Sequence, residues 1–311
     1  MASTLKSKTY YDRLGRVEQA QVLDNQQGKR VISGVVYDAF GRPALQTLPA
    51  AVNGSSFAFD GDFIQNGSGN DYSYQDFDLF ADPVTNSNNT RENPAAVNST
   101  STLGNYYSNS NTAEPYVAAS SYPYARSTVT QHGVVRAAAP GEDLRMGSGH
   151  EVMSATFLVL DELNHYIQFR DDFIGGANQT SLKYKAYKTV TIDQNGQVSL
   201  SFFDLQGNLV ATALSGYKQS DGGSLQHTHI TNSSGGGVEF VGGEVDPDLG
   251  FIDLYVPNYS DFQIQNGGSN EIEVWDMATD QRIYSGPASS FNHGGASPSR
   301  FIRILETDPA G

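Results

Sequence analysis

Tyr10-Tyr11-Asp12-Arg13-Leu14-Gly15-Arg16-Val17, answered later by Val36-Tyr37-Asp38-Ala39-Phe40-Gly41-Arg42-Pro43, decides how this chain is read. The unit is Tyr-Asp, two residues, then Gly-Arg, and Asp12 and Asp38 stand 26 positions apart. An Asp at the head of a turn can bond the backbone two residues on, and Gly supplies positive φ without steric cost. The flanks at 17–23 and 30–37 are rich in residues that suit a pleated, half-buried surface. Strand, turn and strand at a hairpin-sized period predict a stack of strand pairs over residues 8–50. An unpaired edge is expected near residues 10–45.

The motif returns in degenerate form at Phe203-Asp204-Leu205-Gln206-Gly207-Asn208, between expected strands at 198–203 and 209–214. Residues 187–192 run into Asp193-Gln194-Asn195-Gly196, a hairpin turn signal. With further strands at 151–160 and 165–170, residues 151–220 read as resumed hairpins. Between the two sets, residues 51–150 are rich in Asn, Ser, Gly and Tyr and broken by prolines, a polar loop-rich insertion. Its aromatics Phe57, Phe59, Phe63, Tyr72, Tyr74, Phe77 and Phe80 suit pinning it on a sheet, while 125–149 reads as loop. From 240 to 306, five short runs alternate with period two and predict a β-sandwich-like module. The fold class expected is all-β: an antiparallel hairpin array with long polar loops and a C-terminal β-sandwich-like unit.

Charge narrows the function. The chain has 311 residues, only 17% of them charged, and a net charge of −15, which disfavours nucleic acid and anionic membrane surfaces. With no cysteine, disulfides, thiolate metal sites and cysteine nucleophiles are excluded together. No run approaches the roughly 20 apolar residues of a membrane span. The start, Met1-Ala2-Ser3-Thr4-Leu5-Lys6, lacks the apolar core of a signal peptide, so the chain reads as a fragment whose export signal lies elsewhere.

Four groups of side chains invite chemistry. Asp60, Asp62, Asn66, Asn70 and Asp71 form an oxygen-rich set of the kind hard cations take, which makes calcium the one cofactor worth testing. His227 and His229 share one face of a strand but lack the following Glu of a cupin-type site, and read as polar edge residues. Carboxylates such as Glu142, Asp143, Asp161 and Glu162 are too plentiful for a glycosidase pair to be chosen among them. Tyr106, Tyr107, Tyr116, Tyr122 and Tyr124 could stack on sugars or a protein partner, or cover the sheet. No catalytic residue is assigned.

The Tyr11-Asp12…Gly15-Arg16 and Tyr37-Asp38…Gly41-Arg42 units, with Phe203-Asp204…Gly207, resemble the Rhs/YD-repeat family. Ala139-Pro140-Gly141-Glu142…Gly147-Ser148-Gly149-His150 looks like the N-terminal portion of long Rhs proteins of Bacteroidetes-type bacteria. The resemblance touches roughly residues 8–45 and 137–214. It implies strips of hairpins that coil into a hollow shell able to enclose a C-terminal toxin, while other members display adhesive surfaces. The function so implied is a non-enzymatic structural module of a secreted or bacterial surface protein, part of a β-shell or its N-terminal plug. Its partners would be the remainder of its own chain, a toxin cargo or secretion machinery. The alternatives are a surface adhesin or carbohydrate-binding module, and thirdly an extracellular hydrolase.

Overall fold

The computed structural model describes residues 6–24, 27–54, 56–78, 94–111, 114, 116–159, 186–215, 230–232, 238–240, 251–255, 262–263, 271–293 and 301–307. Strands dominate them, and the class is all-β as expected. One antiparallel sheet takes 11 strands: β1 (Lys6–Tyr11), β2 (Val17–Asp24), β3 (Lys29–Tyr37), β4 (Pro43–Thr47), β5 (Ala50–Asn53), β6 (Tyr124–Val129), β7 (Val135–Ala138), β8 (Val152–Leu158), β9 (Ala186–Ile192), β10 (Val198–Asp204) and β11 (Leu209–Ser215). Its hydrogen-bonded order is β1-β2-β3-β4-β6-β7-β8-β9-β10-β11, with β5 beside β3. A four-stranded sheet orders β12 (Ile230–Asn232), β13 (Val238–Phe240), β15 (Phe262–Gln263) and β18 (Asn292–His293). Another orders β14 (Phe251–Tyr255), β19 (Phe301–Glu306), β16 (Glu271–Asp276) and β17 (Gln281–Pro287). The strand expected at 165–170 lies outside the described residues. Contacts divide the chain into two compact units, Met1–Thr128 with Ala137–Val152, and Val129–Arg136 with Met153–Gly311.

In the first unit, β2 buries Gln19, Gln21 and Leu23 on one face, so two of its three inward positions are polar. Their amides act as surrogate backbone. Gln19 Nε2 donates to the Asp60 carbonyl at 3.1 Å while its Oε1 accepts from Asp60 N–H at 3.1 Å. Gln21 Nε2 donates to the Ala58 carbonyl at 2.7 Å. Residues 58–60 are thereby laid on the sheet without forming a strand, and the Gln19 amide, whose burial would otherwise cost about 1–3 kcal/mol, has both its donor and its acceptor paired.

Above the strands, Ile32, Leu45, Ala50 and Tyr124 meet Phe63, Phe77, Val97 and Leu103 from the connecting segment. A 3-10 turn at Tyr74–Phe77, closed by Ser73 and Asp76, brings Phe77 between Tyr72 (5.0 Å) and Tyr124 (4.7 Å). The short helix α1 (Thr102–Tyr106) is capped by Ser101, whose hydroxyl accepts from Gly104 N–H at 3.0 Å, and it buries Leu103. Aromatics of the polar stretch do pin it down: Phe63 and Phe77 in the core, and Phe59 edge-on to Tyr10 at 5.4 Å. Phe80 lies outside the described residues.

Where the sequence reads loop over 125–149, β6 and β7 form. The inward position of β6 after Tyr124 is Arg126, 1% exposed, which hides the apolar alternation. Arg126 donates to the Ala44 carbonyl at 2.8 Å and pairs with Asp78. A charge that deep is tolerated only because it is paired and hydrogen-bonded.

The second unit follows pattern more closely. β9 and β10 alternate strictly, burying Val190 and Ile192, then Val198, Leu200 and Phe202. Ala155 and Phe157 of β8 join them, and Tyr255 and Phe301 of the C-terminal sheet close the core, Phe301 stacking on Phe157 at 5.8 Å. Each large apolar side chain so buried contributes about 1.5–3 kcal/mol. The next residue on β19, Ile302, belongs to a second core with Leu254, Ile272, Val274, Ile304 and Phe291. The C-terminal sheet is therefore apolar on both faces. Its cross-strand neighbours Asp253 and Arg303 form a two-pronged ion pair at 2.7 and 2.8 Å.

One contact here had no forerunner in the sequence. Asp280, in the turn between β16 and β17, takes φ 54°, a left-handed conformation that Asp and Asn reach more readily than other side chains. Its carboxylate accepts from Gln131 N–H at 2.8 Å and meets His132 Nδ1 at 2.6 Å, while the His132 ring lies 5.6 Å from that of Trp275.

Candidate functional site

The residues the sequence singles out as repeat motif share one local structure. At Asp12, N–H donates to the Arg16 carbonyl (2.8 Å) and the Asp12 carbonyl accepts from Gly15 N–H (3.0 Å). Asp12 Oδ1 takes the backbone N–H of Leu14 (2.8 Å) and of Arg16 (2.9 Å), and Oδ2 takes Arg16 Nε at 2.7 Å. Asp38 repeats every bond with Arg42, Gly41 and Phe40. Asp204 repeats them with Asn208, whose Nδ2 stands in for the guanidinium at 2.8 Å. Register shifts at Tyr10/Tyr11, Val36/Tyr37 and Phe202/Phe203 mark the bulge that such three-residue loops insert. The fourth position must be left-handed, as Gly41 is at φ 80°, a conformation a side chain would strain.

Three further copies exist. Asp193, expected to turn a hairpin, makes the same backbone bonds with Gly196 and Gln197. Asn66 makes them with Gly69 and Asn70, and Thr130 with Gly133 and Val134 through its hydroxyl. Six turns among the described residues thus share one bond pattern. All three escape a search for Tyr-Asp, and Asp193 stands out only by its Asn195-Gly196 turn. The signal that finds them is broader: Asp, Asn or Thr with Gly three residues on.

Successive hairpins are also joined. The Arg16 guanidinium lies 4.3 Å over the Tyr37 ring, and Tyr37 returns its hydroxyl to the Val17 carbonyl at 2.9 Å. Such a stack is worth about 0.5–1 kcal/mol where it remains partly solvated. Arg42 folds instead over Phe40 of its own turn at 5.0 Å.

These carboxylates are spent on structure. The backbone N–H of Arg16 is the largest influence on Asp12 and holds its carboxyl below the usual range. Burial pushes Asp38 up, but the bonds from Arg42 and Phe40 outweigh it and the net shift is downward. The Asn208 side chain leads the lowering at Asp204. A depressed folded value stabilises above the unfolded value of about 3.9, and that contribution is lost as pH falls through the folded one. Melting temperature should therefore drop as pH falls below about 4, less steeply in Asp38→Asn than in the parent. In denaturant titrations at pH 7, Asp38→Ala should cost about 1–2 kcal/mol, since two backbone donors lose their acceptor. Asp38→Asn should cost under about 1 kcal/mol, because Asn66 shows the amide serving the same bonds and Arg42 is a largely solvated partner.

Of the set expected to suit calcium, Asp60 and Asn66 use side-chain oxygens in other bonds, while Asp62, Asn70 and Asp71 take part through their backbones. Asp60 faces Arg30 at 3.7 Å and takes the Thr102 hydroxyl at 3.2 Å, and the Asp62 carbonyl accepts from Thr102 N–H at 3.0 Å. Asn66 and Asn70 close their own turn, and Asp71 bridges to Gln65. Among the described residues, no three His, Asp or Glu side chains gather as a metal cluster. His227 and His229 lie outside the described residues, as do Asp161 and Glu162. Glu142 accepts from Ser121 N–H at 3.1 Å, and Asp143 is exposed. Of the tyrosines, Tyr124 is buried, Tyr107 donates to the Pro49 carbonyl at 2.8 Å, and burial pushes its phenol up to about 12. Tyr116 alone of the five is almost wholly exposed, at 98%.

Residues 2–93 match a family described as a domain of unknown function (DUF6443), a stretch that includes the turns at Asp12, Asp38 and Asn66. Comparison with curated proteins and with solved structures gives no match. Among the described residues, no helix is long and apolar enough to cross a membrane.

Proposed function

We propose that the chain is a non-enzymatic scaffold module of a secreted or surface-exposed Rhs/YD-repeat protein, working by the edge-to-edge addition of hairpins. The observation that carries this reading is the turn itself. Its carboxylate oxygens go to backbone N–H groups and to the arginine or asparagine that closes the turn, and the Arg16–Tyr37 stack joins one hairpin to the next. That is chemistry for building, with both oxygens of each motif carboxylate engaged in its own turn. The partners proposed are the remainder of the same polypeptide and, within a shell built from it, a C-terminal toxin cargo or the secretion machinery.

The test is to capture the parent polypeptide from its source cells with antibody to residues 8–50 and image it by electron microscopy. Hollow particles with a wall of β-hairpins support the reading; compact particles without a cavity overturn it. Calcium on the 60–71 loop accompanies the proposal as a ligand, decided by calorimetric titration of chelator-treated protein. Heat together with a raised melting temperature supports it, and the absence of both removes it.

A second reading, a surface adhesin or carbohydrate-binding module, is favoured by the exposure of Tyr116. Glycan-array binding that disappears in Tyr116→Ala would support it, and an array without signal would sink it.

A further inference from the structure

Three copies of the turn offer the same receptor, an aromatic ring before the Asp and an uncovered Gly after it, and two of the three are filled. At the second copy the Arg16 guanidinium covers Tyr37 at 4.3 Å, and its Nη1 lies 3.2 Å from where a Cβ on Gly41 would stand. At the third, the Tyr187 ring covers Phe203 at 5.2 Å with 17° between planes, its hydroxyl 3.7 Å from the corresponding point on Gly207. In both cases the planar group comes from the strand on the side away from the hairpin's own partner. Arg16 leads into β2, which pairs with β3, and Tyr187 on β9 stands opposite Phe203 on β10. At the first copy, Tyr11 is 60% exposed and nothing lies within 4 Å of a Cβ built on Gly15. The strand that would fill it belongs on the free edge of β1, which among the described residues pairs only with β2.

We infer that the free edge of β1 is a docking site for a β-hairpin whose turn carries Asp-x-x-Gly-Arg, its arginine laid on Tyr11 beside Gly15. The occupant follows from continuity with the β2–β3 interface, where the same parts already meet: an arginine from the preceding hairpin, a tyrosine and a glycine from the next. Lys6 and Lys8 keep the strand from indiscriminate pairing while it is open, as charged side chains on edge strands do. This inference rests on the scaffold reading and names the partner of its first strand.

The experiment joins a copy of residues 6–28 ahead of Ser3 of the full chain, so that the copied and native Asp12 stand 26 positions apart, as Asp12 and Asp38 do. Hydrogen exchange of the native β1 amides is read by NMR. Alternate β1 amides should exchange at least about ten-fold more slowly than in the parent, as edge amides do once they are paired. Most of that protection should vanish with Arg16→Ala in the added copy alone, or with Tyr11→Leu. Unprotected β1 amides overturn the site, and so does protection indifferent to both substitutions. A peptide of residues 6–28, titrated in trans onto the parent chain, is the second measurement. It should shift the Tyr11 ring protons only while its own arginine is intact, and no shift at millimolar peptide overturns the site should the extended chain fail to fold. Coupling between Arg16 and Tyr37 in the parent separates the two ideas. If it is present and β1 stays unprotected, the docking site alone fails; if it is absent, the scaffold reading fails with it.

Discussion

Phe77→Ala is expected to destabilise the first unit by about 3–5 kcal/mol, the range for emptying an aromatic position in a core that cannot collapse around it. Phe77 has no exposed surface and is held by the rings of Tyr72 and Tyr124, so truncation strips contacts from two further aromatics at once. It sits in the stretch whose composition is that of a loop, which makes the size of the effect informative. Urea unfolding followed by Tyr72 or Tyr124 ring signals reads this unit directly. A cost below about 1 kcal/mol would mean that the stretch merely drapes over the strands.

Gly104→Ala sets two effects against each other. In a helix interior, alanine is ordinarily better than glycine by about 1 kcal/mol. Here the added Cβ would overlap the Asn98 carbonyl, with the carbonyl carbon 2.7 Å away and the Ser101 hydroxyl at 3.1 Å. Backbone cannot swing aside as a side chain can, and the same Ser101 hydroxyl caps the helix through Gly104 N–H. The clash should win, for a net loss of about 3 kcal/mol. A variant as stable as the parent, or more so, would show that α1 shifts freely on its neighbours. The same denaturant titration decides it.

How far the fold could be read from sequence depended on what filled the inward positions. β9 and β10 put Val, Ile, Leu and Phe at most of theirs, with Lys188 the one charged exception, and their strands are legible at once. β6 puts Arg126 inward and was lost among the loops, since its burial depends on Asp78, 48 positions away. β2 could be read as a strand, but not the reason why Gln19 and Gln21 face inward, because their partners belong to residues 58–60. The turn was legible wherever an aromatic and an Asp preceded the glycine. At Asn66 the same oxygens looked like cation ligands, and only the backbone geometry shows them accepting from Ser68 and Asn70. Nothing local announces that Arg16 belongs with Tyr37 rather than only with Asp12, since that contact needs two hairpins side by side.

The account turns on that contact, and a double-mutant cycle of Arg16→Met and Tyr37→Leu tests it most directly. Met keeps the aliphatic stem of Arg16 without its charge, and the cycle cancels the loss of the Asp12 pair and of the Tyr37 hydroxyl bond to Val17. A coupling of about 0.5–1 kcal/mol is predicted for a stack at 4.3 Å that is partly open to solvent. Additive losses, with a coupling under about 0.3 kcal/mol, would contradict the claim that the repeated turns bind one hairpin to the next.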